Sequence, residues 1–339
     1  MSYTTTGLEK RKKQNIVLEF LGRLLFIIPR RPKFAQIEIT NSCNLNCKMC
    51  PRAQLKVPYK HMDMKIYKKV VDKLEGINTL TLTGWGEPFY YDKIFDCITY
   101  AKKKGLKVKL TTNGVLINDA KINKIISSGL DDITFSIDHI KGDPDFGHPN
   151  KAALMNIKKI IQLRDSKGLD KPQIVLQTTM HARKGKNVMD VIKWGAKVGA
   201  DRINIARLDL RFDPNLKRAS EEEEQRIFKT ADRLGKDLGI RVDMVQYAVF
   251  DGFPRLMYKI SRRLLHRFDT KCSKGYNYVY INVDGFVTPC CFYPLMKMGD
   301  LKKQSLQDIW NGARYRKFRQ FKVKGCTKCD VMRVRYLEQ

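Results

Sequence analysis

The chain has 339 residues, 43% of them hydrophobic, so it is long enough to bury one large core and a smaller appended unit. Its 65 Lys and Arg outnumber its 35 Asp and Glu, and the resulting net charge of +30 favours anionic partners without identifying them. The nine cysteines gather in short metal-like spacings, which argues against a disulfide-stapled secreted protein and predicts a reducing cytoplasm.

Residues 1–33 form a basic amphipathic N-terminal segment, in which an apolar stretch from Ile16 to Ile28 is flanked by Lys and Arg. The stretch is shorter than the roughly 20 residues that a spanning helix needs, and no small-residue cleavage site follows it. Two interpretations remain open: a helix packed on its own domain, or an interfacial helix lying on a membrane. The predicted location is therefore cytoplasmic, with peripheral contact on the inner membrane face as the alternative.

From Phe34 onward, strand-like and helix-like segments alternate. The predicted strands are 34–40, 79–83, 106–112, 133–137, 173–180 and 202–208, and the predicted helices are 64–74, 94–104, 120–127, 151–164 and 188–198. Six consecutive βα units predict an α/β fold with a parallel sheet, a partial (β/α)6 barrel spanning residues 34–210.

Three cysteines, Cys43, Cys47 and Cys50, follow the first predicted strand within eight residues. Three thiolates on one short loop can bind three irons of a four-iron cluster and leave the fourth iron open to a substrate or cofactor. A helix face of buried cysteines and a structural zinc site are the alternatives. The polar Asn44 and the following Pro51 argue against a continuous buried helix.

Other unusual residues also follow predicted strands. The run Gly84–Pro88 comes after the second strand, Asn113 after the third, and Ser136 and Asp138 lie on the fourth. Ligands of parallel α/β folds bind at the carboxyl ends of the strands. We therefore expect these residues and the three thiols to converge at one mouth.

These motifs resemble those of the radical S-adenosylmethionine (SAM) superfamily. Cys43, Cys47 and Cys50 match its CxxxCxxC signature, and Gly84–Pro88 matches its GGEP-like motif, within a similarity that covers residues 34–208. The resemblance implies a 4Fe-4S cluster whose open iron binds SAM, and an electron donor such as ferredoxin or flavodoxin. It also implies reductive cleavage of SAM to a deoxyadenosyl radical that removes a hydrogen atom from a substrate.

The same resemblance implies contacts to SAM. Glu87 is expected to accept a charge-assisted hydrogen bond from the ammonium group of SAM, with the backbone of Trp85 and Gly86 alongside. The expected contacts to the ribose or carboxylate of SAM are Asn113, Ser136 and Asp138. The sequence identifies no catalytic residue that transfers a proton, because that role depends on geometry.

Residues 211–269 are predicted as a helical linker region, with a well-capped helix over 220–238 and a basic amphipathic stretch over 255–267. The second stretch is either a surface helix or a contact to an anionic or membrane-associated substrate. His181 and Arg207, near the ends of the fifth and sixth strands, are weaker candidates for contact with substrate or cofactor.

Residues 270–339 carry a second metal pattern that resembles the SPASM/Twitch extension of the same superfamily. The resemblance implies a Twitch-like domain with one auxiliary 4Fe-4S cluster, bound by Cys272, Cys290, Cys326 and Cys329. A structural tetrathiolate zinc is the alternative. The role of Cys291 stays open, because adjacent side chains of a strand point to opposite faces. Cys97 lies at an apolar position of a helical pattern and is predicted to belong to the core.

Three functions are compatible with these patterns. The first is a radical SAM enzyme that oxidises or rearranges a small, anionic or lipid-like substrate. The second is a peptide-modifying maturase, less favoured because 33 residues before the first strand are too few for the winged-helix domain that binds peptides in many maturases. The third is a non-catalytic, metal-stapled protein that binds nucleic acid, disfavoured because no interleaved aromatic RNA-binding signature is present.

Overall fold

The structure is a computed structural model that describes residues 31–141, 151–180, 185–210, 215–244, 247–248, 277–321, 329 and 335–336. The basic segments at 10–33 and 255–267 lie almost entirely outside these ranges, so their contact with a membrane stays a prediction. In the part of the chain that is described, no helix has the length and apolar character needed to cross a bilayer.

Strands and helices alternate along the chain. The strands are β1 (Phe34–Ile37), β2 (Thr79–Leu82), β3 (Lys107–Thr112), β4 (Asp132–Ser136), β5 (Gln173–Met180), β6 (Arg202–Arg207), β7 (Arg241–Met244), β8 (Tyr247–Ala248), β9 (Tyr278–Ile281), β10 (Phe286–Thr288), β11 (Gly299–Asp300) and β12 (Arg335–Tyr336). The helices are α1 (Met64–Asp72), α2 (Ile94–Lys103), α3 (Asp119–Ser127), α4 (Lys151–Ser166), α5 (Gly185–Val198), α6 (Glu221–Asp237), α7 (Leu306–Asn311) and α8 (Ala313–Phe321). All six predicted strands and all five predicted helices of the core are present, with ends that shift by at most three residues.

Side-chain caps explain where several helices begin. The Asp63 carboxylate accepts hydrogen bonds from the backbone N–H groups of Lys65 and Ile66 at the start of α1. The Ser220 hydroxyl accepts one from the Glu223 N–H at the start of α6, whose first turn is acidic throughout. Both caps satisfy amide groups that have no partner inside the helix, and the acidic turn complements the helix dipole.

Ten of the described strands form one sheet in the order β11-β10-β9-β1-β2-β3-β4-β5-β6-β7. Neighbours from β9 through β7 pair in parallel, which confirms the predicted α/β class. The sheet is larger than the six predicted strands. β7 extends it at one end, and β9 pairs with β1 at the other, so that Tyr278 lies opposite Phe34.

The two faces of this sheet differ in polarity. Ala35 and Ile37 of β1 pack with the helices in the main hydrophobic core, whereas Gln36 and the following Glu38 occupy the opposite face. Asn204 of β6 is also on that opposite face and is 1% exposed. A buried face lined by polar side chains is the interior of a partial barrel, and this interior opens at the carboxyl ends of the strands.

Candidate metal centre

The three-cysteine loop begins shortly after the end of β1. Cys43, Cys47 and Cys50 are all half-buried. The loop is held in a compact form by local hydrogen bonds: the Cys50 N–H donates to the Cys47 carbonyl at 3.0 Å, and the Arg52 guanidinium donates to the Leu45 carbonyl at 3.0 Å. The three thiols therefore lie on one ordered turn at the mouth of the sheet.

Burial disfavours the charged form of all three thiols, a penalty that a bound cation would offset. Burial raises the pKa of all three thiols, and it raises that of Cys47 to about 12, with the charges of Cys50 and Cys43 adding to the effect. The positive charge of Arg52 acts in the opposite direction on Cys43 and Cys50. Such thiols release their protons when a metal binds, because the charge of the metal stabilises the thiolates.

Two N–H groups face the first of these sulfurs. The Leu45 backbone N–H lies 3.4 Å from Cys43 Sγ, and Asn113 Nδ2 lies 3.9 Å from it. Among the described residues, no three Cys, His, Asp or Glu side chains converge as ligands of a single metal ion do. A 4Fe-4S cluster makes a different demand, because each thiolate binds a different iron. The ordered thiols and the N–H donors at sulfur fit that demand.

The loop Gly84–Pro88 packs directly on the cysteine loop, as the convergence at the strand ends requires. The Glu87 N–H donates to the Ser42 carbonyl at 2.9 Å. A Cβ on Gly86 would lie 2.5 Å from the Thr40 carbonyl oxygen and 2.6 Å from that of Ser42. Only glycine permits this approach of two backbones.

Glu87 is buried, and its side chain makes three hydrogen bonds with the described residues. Its carboxylate accepts them from the Phe89 N–H at 3.0 Å, the Thr112 hydroxyl at 2.6 Å and the Asn113 N–H at 2.7 Å. Burial raises the pKa of this carboxyl, and these donors oppose the shift. Glu87 thus fixes the end of β2 to the end of β3. Its contact with the ammonium of SAM stays a prediction.

Asn113 and Asp138 also lie at this mouth. Asn113 Nδ2 donates to Asn44 Oδ1 at 3.0 Å, which ties the end of β3 to the cysteine loop. Asp138 Oδ1 accepts from the Thr179 N–H at 2.7 Å, while Oδ2 is buried and has no hydrogen-bond partner among the described residues. The Asp138 charge raises the pKa of Cys47, so the two groups are near one another. An orphaned acceptor at this position fits a donor from a bound ligand.

Ser136 ends β4 on the face that contains Asp138 and is half-buried. Trp85 and Gly86 occupy the centre of the loop after β2. All six predicted SAM contacts therefore come from the carboxyl ends of β2, β3 and β4. Their contacts with SAM itself remain predictions.

Part of the second metal region is described. Cys290 follows β10 and is 8% exposed, and Cys329 is 9% exposed, whereas Cys272 and Cys326 lie outside the described residues. The four-thiol auxiliary site therefore stays a prediction.

Cys290 and Cys291 face different neighbours. The pKa of the Tyr315 hydroxyl is raised by burial and by the charge of Cys290. The pKa of the Tyr280 hydroxyl is raised by burial and by the charges of Glu38 and Cys291. The charge of Cys290 therefore acts on Tyr315 of α8 and that of Cys291 on Tyr280 of β9, while both thiols pack in one small cluster with Tyr280.

Sequence reasoning missed Glu38. This carboxyl is 2% exposed just beyond β1; burial raises its pKa to about 7, although the Trp85 N–H donates to it at 3.0 Å. Its signal was a charged residue between Ile37 and Ile39. Beside a ligand site, a buried carboxyl with a pKa near neutrality is able to hold or release a proton.

The structure also bears on two other predicted residues, Arg207 and Cys97, but not on His181. Arg207 Nε forms a buried ion pair with Glu224 of α6 at 2.7 Å, on the face of β6 that packs on helices rather than in the interior. His181 lies outside the described residues. Cys97 is fully buried in α2 against the core, as predicted.

Two family models match the chain. The model of the radical SAM superfamily matches residues 37–193, which include the three-cysteine loop and the ends of β1 to β5. The model of the SPASM iron-sulfur cluster-binding domain matches residues 272–330, which include all four predicted auxiliary ligands. The number of auxiliary clusters stays a prediction.

Curated relatives match over most of the chain. The tungsten-containing aldehyde ferredoxin oxidoreductase cofactor-modifying protein of Pyrococcus furiosus is 24% identical over 88% of this chain and 87% of its own. The AdoMet-dependent heme synthase of Methanosarcina barkeri is 24% identical over 89% and 90%. The sporulation killing factor maturation protein SkfB of Bacillus subtilis is 22% identical over 84% and 66%.

Solved structures share the fold. Streptococcus suis SuiB bound to its precursor peptide SuiA aligns with a TM-score of 0.69 at 15% identity, over 93% of this chain and 73% of that one. Native anSMEcpe with bound AdoMet aligns with a TM-score of 0.60 at 18% identity, over 88% and 87%. At these identities the likeness supports the arrangement of the core and its C-terminal extension, and nothing finer.

Proposed function

Because the chain belongs to the radical SAM superfamily and carries a SPASM iron-sulfur domain, we propose that it cleaves SAM reductively and oxidises a substrate bound at the mouth of the sheet. The observation that carries this proposal is the direct contact of the cysteine loop with the loop Gly84–Pro88, through the bond from Glu87 N–H to Ser42. That contact brings the candidate metal ligands and the candidate SAM contacts into one site.

The residues of the mouth have separate roles in the proposed reaction. Cys43, Cys47 and Cys50 would hold the cluster, which, when bound, supplies the electron that breaks a carbon–sulfur bond of SAM. The Gly86 backbone allows a close approach to SAM because no side chain intervenes. The unpartnered Asp138 Oδ2 would accept a hydrogen bond from SAM and so orient it.

We favour oxidation as the outcome for the substrate. Removal of a hydrogen atom leaves a substrate radical, and loss of one further electron and one proton completes a two-electron oxidation. The cysteines of the SPASM domain would hold the acceptor for that electron. The Glu38 carboxyl is positioned at the same mouth, with a pKa raised by burial to about 7, and would accept the proton.

The first candidate substrate is a small anionic molecule. Support comes from the two relatives that match over nearly their whole length, one named for modification of a cofactor and the other for heme synthesis. The net charge of +30 also favours an anionic substrate. The charge is the observation that favours carboxylate or phosphate groups on this molecule.

A peptide is the second candidate. SkfB is named as a maturation protein, and one of the similar solved structures is SuiB with its bound precursor peptide. Support for this candidate is weaker, because the SkfB match covers less of that relative and the SuiB likeness concerns the fold alone. A separate protein that recognises the peptide would make this activity compatible with the chain.

Deuterium transfer distinguishes the two classes. The protein is reconstituted anaerobically with iron and sulfide, reduced with dithionite, and incubated with SAM and either deuterated tetrapyrrole carboxylates or deuterated peptides. We expect deuterium in 5′-deoxyadenosine with the tetrapyrroles. Transfer only from peptides would replace the first candidate with the second. Absence of deoxyadenosine from protein that holds its cluster would contradict the proposed function.

A further inference from the structure

We propose that Trp85 is a positioning residue that couples the SAM site to the auxiliary-cluster domain. Its backbone lies at the SAM site, and its side chain is held by the auxiliary-cluster domain. This proposal rests on the proposed function, because it assumes that SAM and the auxiliary cluster both bind. The role proposed for the indole N–H is to bind the Cys291 carbonyl, and it does not involve contact with SAM.

The side chain of Trp85 packs on the C-terminal extension. Its indole Nε1 donates to the Cys291 carbonyl at 3.0 Å, and its ring lies 5.2 Å, centroid to centroid, from the Phe292 ring. Together with Tyr280 and Cys290, these residues form a small apolar cluster distinct from the main core. A partly buried indole N–H usually has a hydrogen-bond partner. Here the partner is the carbonyl of Cys291, the residue after the predicted cluster ligand Cys290.

The backbone of Trp85 is held at the SAM site. Its N–H donates to Glu38 Oε1 at 3.0 Å. The glycine on each side packs against the end of β1: a Cβ on Gly84 would lie 2.2 Å from Glu38 Cγ, and one on Gly86 would lie 2.5 Å from the Thr40 carbonyl oxygen. With so little free space on either side, a displacement of the indole shifts the backbone that faces SAM.

The segment around Cys290 is also constrained. The Cys290 carbonyl accepts hydrogen bonds from the Tyr293 N–H and from the Thr288 hydroxyl, both at 3.2 Å. A metal bound at Cys290 would restrict that residue further, and it would also restrict the Cys291 carbonyl, one residue along the chain, which accepts the hydrogen bond from the indole. The path from a metal at Cys290 to Trp85 therefore consists of the covalent backbone of Cys290 and Cys291 and one hydrogen bond.

The sheet places the two sites side by side. β9 pairs with β1 in parallel, and beyond the strands the Glu38 N–H donates to the Ile281 carbonyl at 2.9 Å. The cysteine loop leaves the end of β1, and the Cys290 turn follows the hairpin that begins with β9. Thermodynamic coupling is reciprocal, so a cluster that strengthens SAM binding is itself stabilised by SAM.

A four-protein cycle tests the coupling. The proteins are wild type, Trp85→Phe, Cys329→Ala and the double variant. Trp85→Phe keeps the aromatic packing but lacks the indole N–H, and Cys329→Ala removes a predicted auxiliary ligand. SAM affinity is measured by anaerobic equilibrium dialysis. We expect Cys329→Ala to weaken SAM binding by about three- to tenfold in the wild-type background and by less than about twofold in the Trp85→Phe background, as expected for one hydrogen bond.

Spectroscopy supplies a second readout that a purely structural role would not change. In the wild type, addition of SAM should shift the EPR signal or midpoint potential of the auxiliary cluster, and in Trp85→Phe this shift should vanish. Trp85→His, which retains a ring N–H donor, should restore part of it. This variant also keeps the test valid if loss of the donor lowers the yield of folded protein.

Lys60→Gln is the matched control. It removes an exposed ion pair of 2.5 Å between Lys60 and Asp284, another contact between core and extension, and leaves the backbone hydrogen bonds of Lys60 with Asn41 in place. The SAM coupling should be unchanged in this variant. Equal effects of Cys329→Ala in the wild-type and Trp85→Phe backgrounds, or no effect in either, would overturn the role of Trp85. Failure of the wild type to cleave SAM would instead overturn the proposed function.

Discussion

The backbone N–H of Glu87 donates a 2.9 Å hydrogen bond to the carbonyl of Ser42, the residue immediately before Cys43. This bond joins the loop after β2 to the residue that precedes the first candidate metal ligand. Since Gly86 packs on the same backbone, the two loops form one unit. A change in either loop should therefore affect both SAM binding and the metal site.

Gly86→Ala tests this unit. The added Cβ would lie 2.5 Å from the Thr40 carbonyl oxygen and 2.6 Å from that of Ser42, so the cysteine loop has to move. We expect SAM affinity to fall by at least about tenfold, with a lower iron content, in dialysis and iron assays. Gly105→Ala is the control: its φ of +75° makes alanine unfavourable by about 1–2 kcal/mol, but nothing lies within 4 Å. Wild-type SAM affinity in Gly86→Ala would contradict the packing argument.

Removal of one core thiol should abolish cleavage of SAM. In Cys47→Ala the remaining two thiols leave the cluster without its third protein ligand, so we expect deoxyadenosine to fall to background in chromatographic assays. Cys97→Ala is the matched control, because it also removes one thiol, but from a side chain that is fully buried in α2. It should lower stability and leave iron content unchanged. Loss of iron in Cys97→Ala alone would reverse these assignments.

The carboxyl of Glu38 predicts a dependence of stability on pH. Its pKa rises from an ordinary value of 4.5 to about 7 in the folded protein, because it is buried. Between these two values the folded state holds a proton that the unfolded state releases. The free energy of unfolding therefore falls as the pH rises through this window, by at most about 1.4 kcal/mol per pH unit.

Glu38→Gln should remove this contribution while keeping an acceptor for the Trp85 N–H. Anaerobic urea titrations from pH 5 to pH 7.5 should show the wild type losing about 2–3 kcal/mol more stability than the variant. Asp138, whose pKa burial raises to about 6, titrates in both proteins, so its effect cancels in the comparison. Parallel stability curves for the two proteins would refute the assignment.

The buried ion pair of Arg207 and Glu224 should contribute to folding rather than to SAM binding. Glu224→Gln leaves the guanidinium without this carboxylate charge, so we expect a loss of about 3–5 kcal/mol in urea titrations and unchanged SAM affinity. Replacing both residues with Met and Leu should be less harmful than either single change. Lys159→Gln, which breaks the exposed pair with Asp119, should have little effect. A large change of SAM affinity in Glu224→Gln would return Arg207 to the binding site.

The part of the fold that local patterns encode was predictable. Periodic apolar residues and strand-end motifs identify each βα unit, and the gathering of Cys43, Glu87, Asn113 and Asp138 follows from parallel strands alone. The pairing of β9 with β1 was not predictable in this way. It joins positions 244 residues apart, and no local periodicity specifies such a partner.

The orientation of Arg207 could have been predicted. Ile203 and Ile205 face the helices, and because side chains alternate along a strand, Arg207 shares their face. The anchoring of Trp85 could not, since it depends on the carbonyl of Cys291, more than two hundred residues away. The alternation of side chains along a strand predicts which face of the sheet a residue lies on. Contacts between loops depend on how all the strands are arranged in the sheet.

Reductive cleavage of SAM is measured by anaerobic reduction of the reconstituted protein in the presence of SAM. We expect equal amounts of methionine and 5′-deoxyadenosine, together with an EPR signal of a reduced 4Fe-4S cluster that changes on addition of SAM. In Cys47→Ala the EPR signal of the core cluster should be absent. If the protein holds zinc instead of iron and forms neither methionine nor 5′-deoxyadenosine, the proposed cleavage of SAM is wrong.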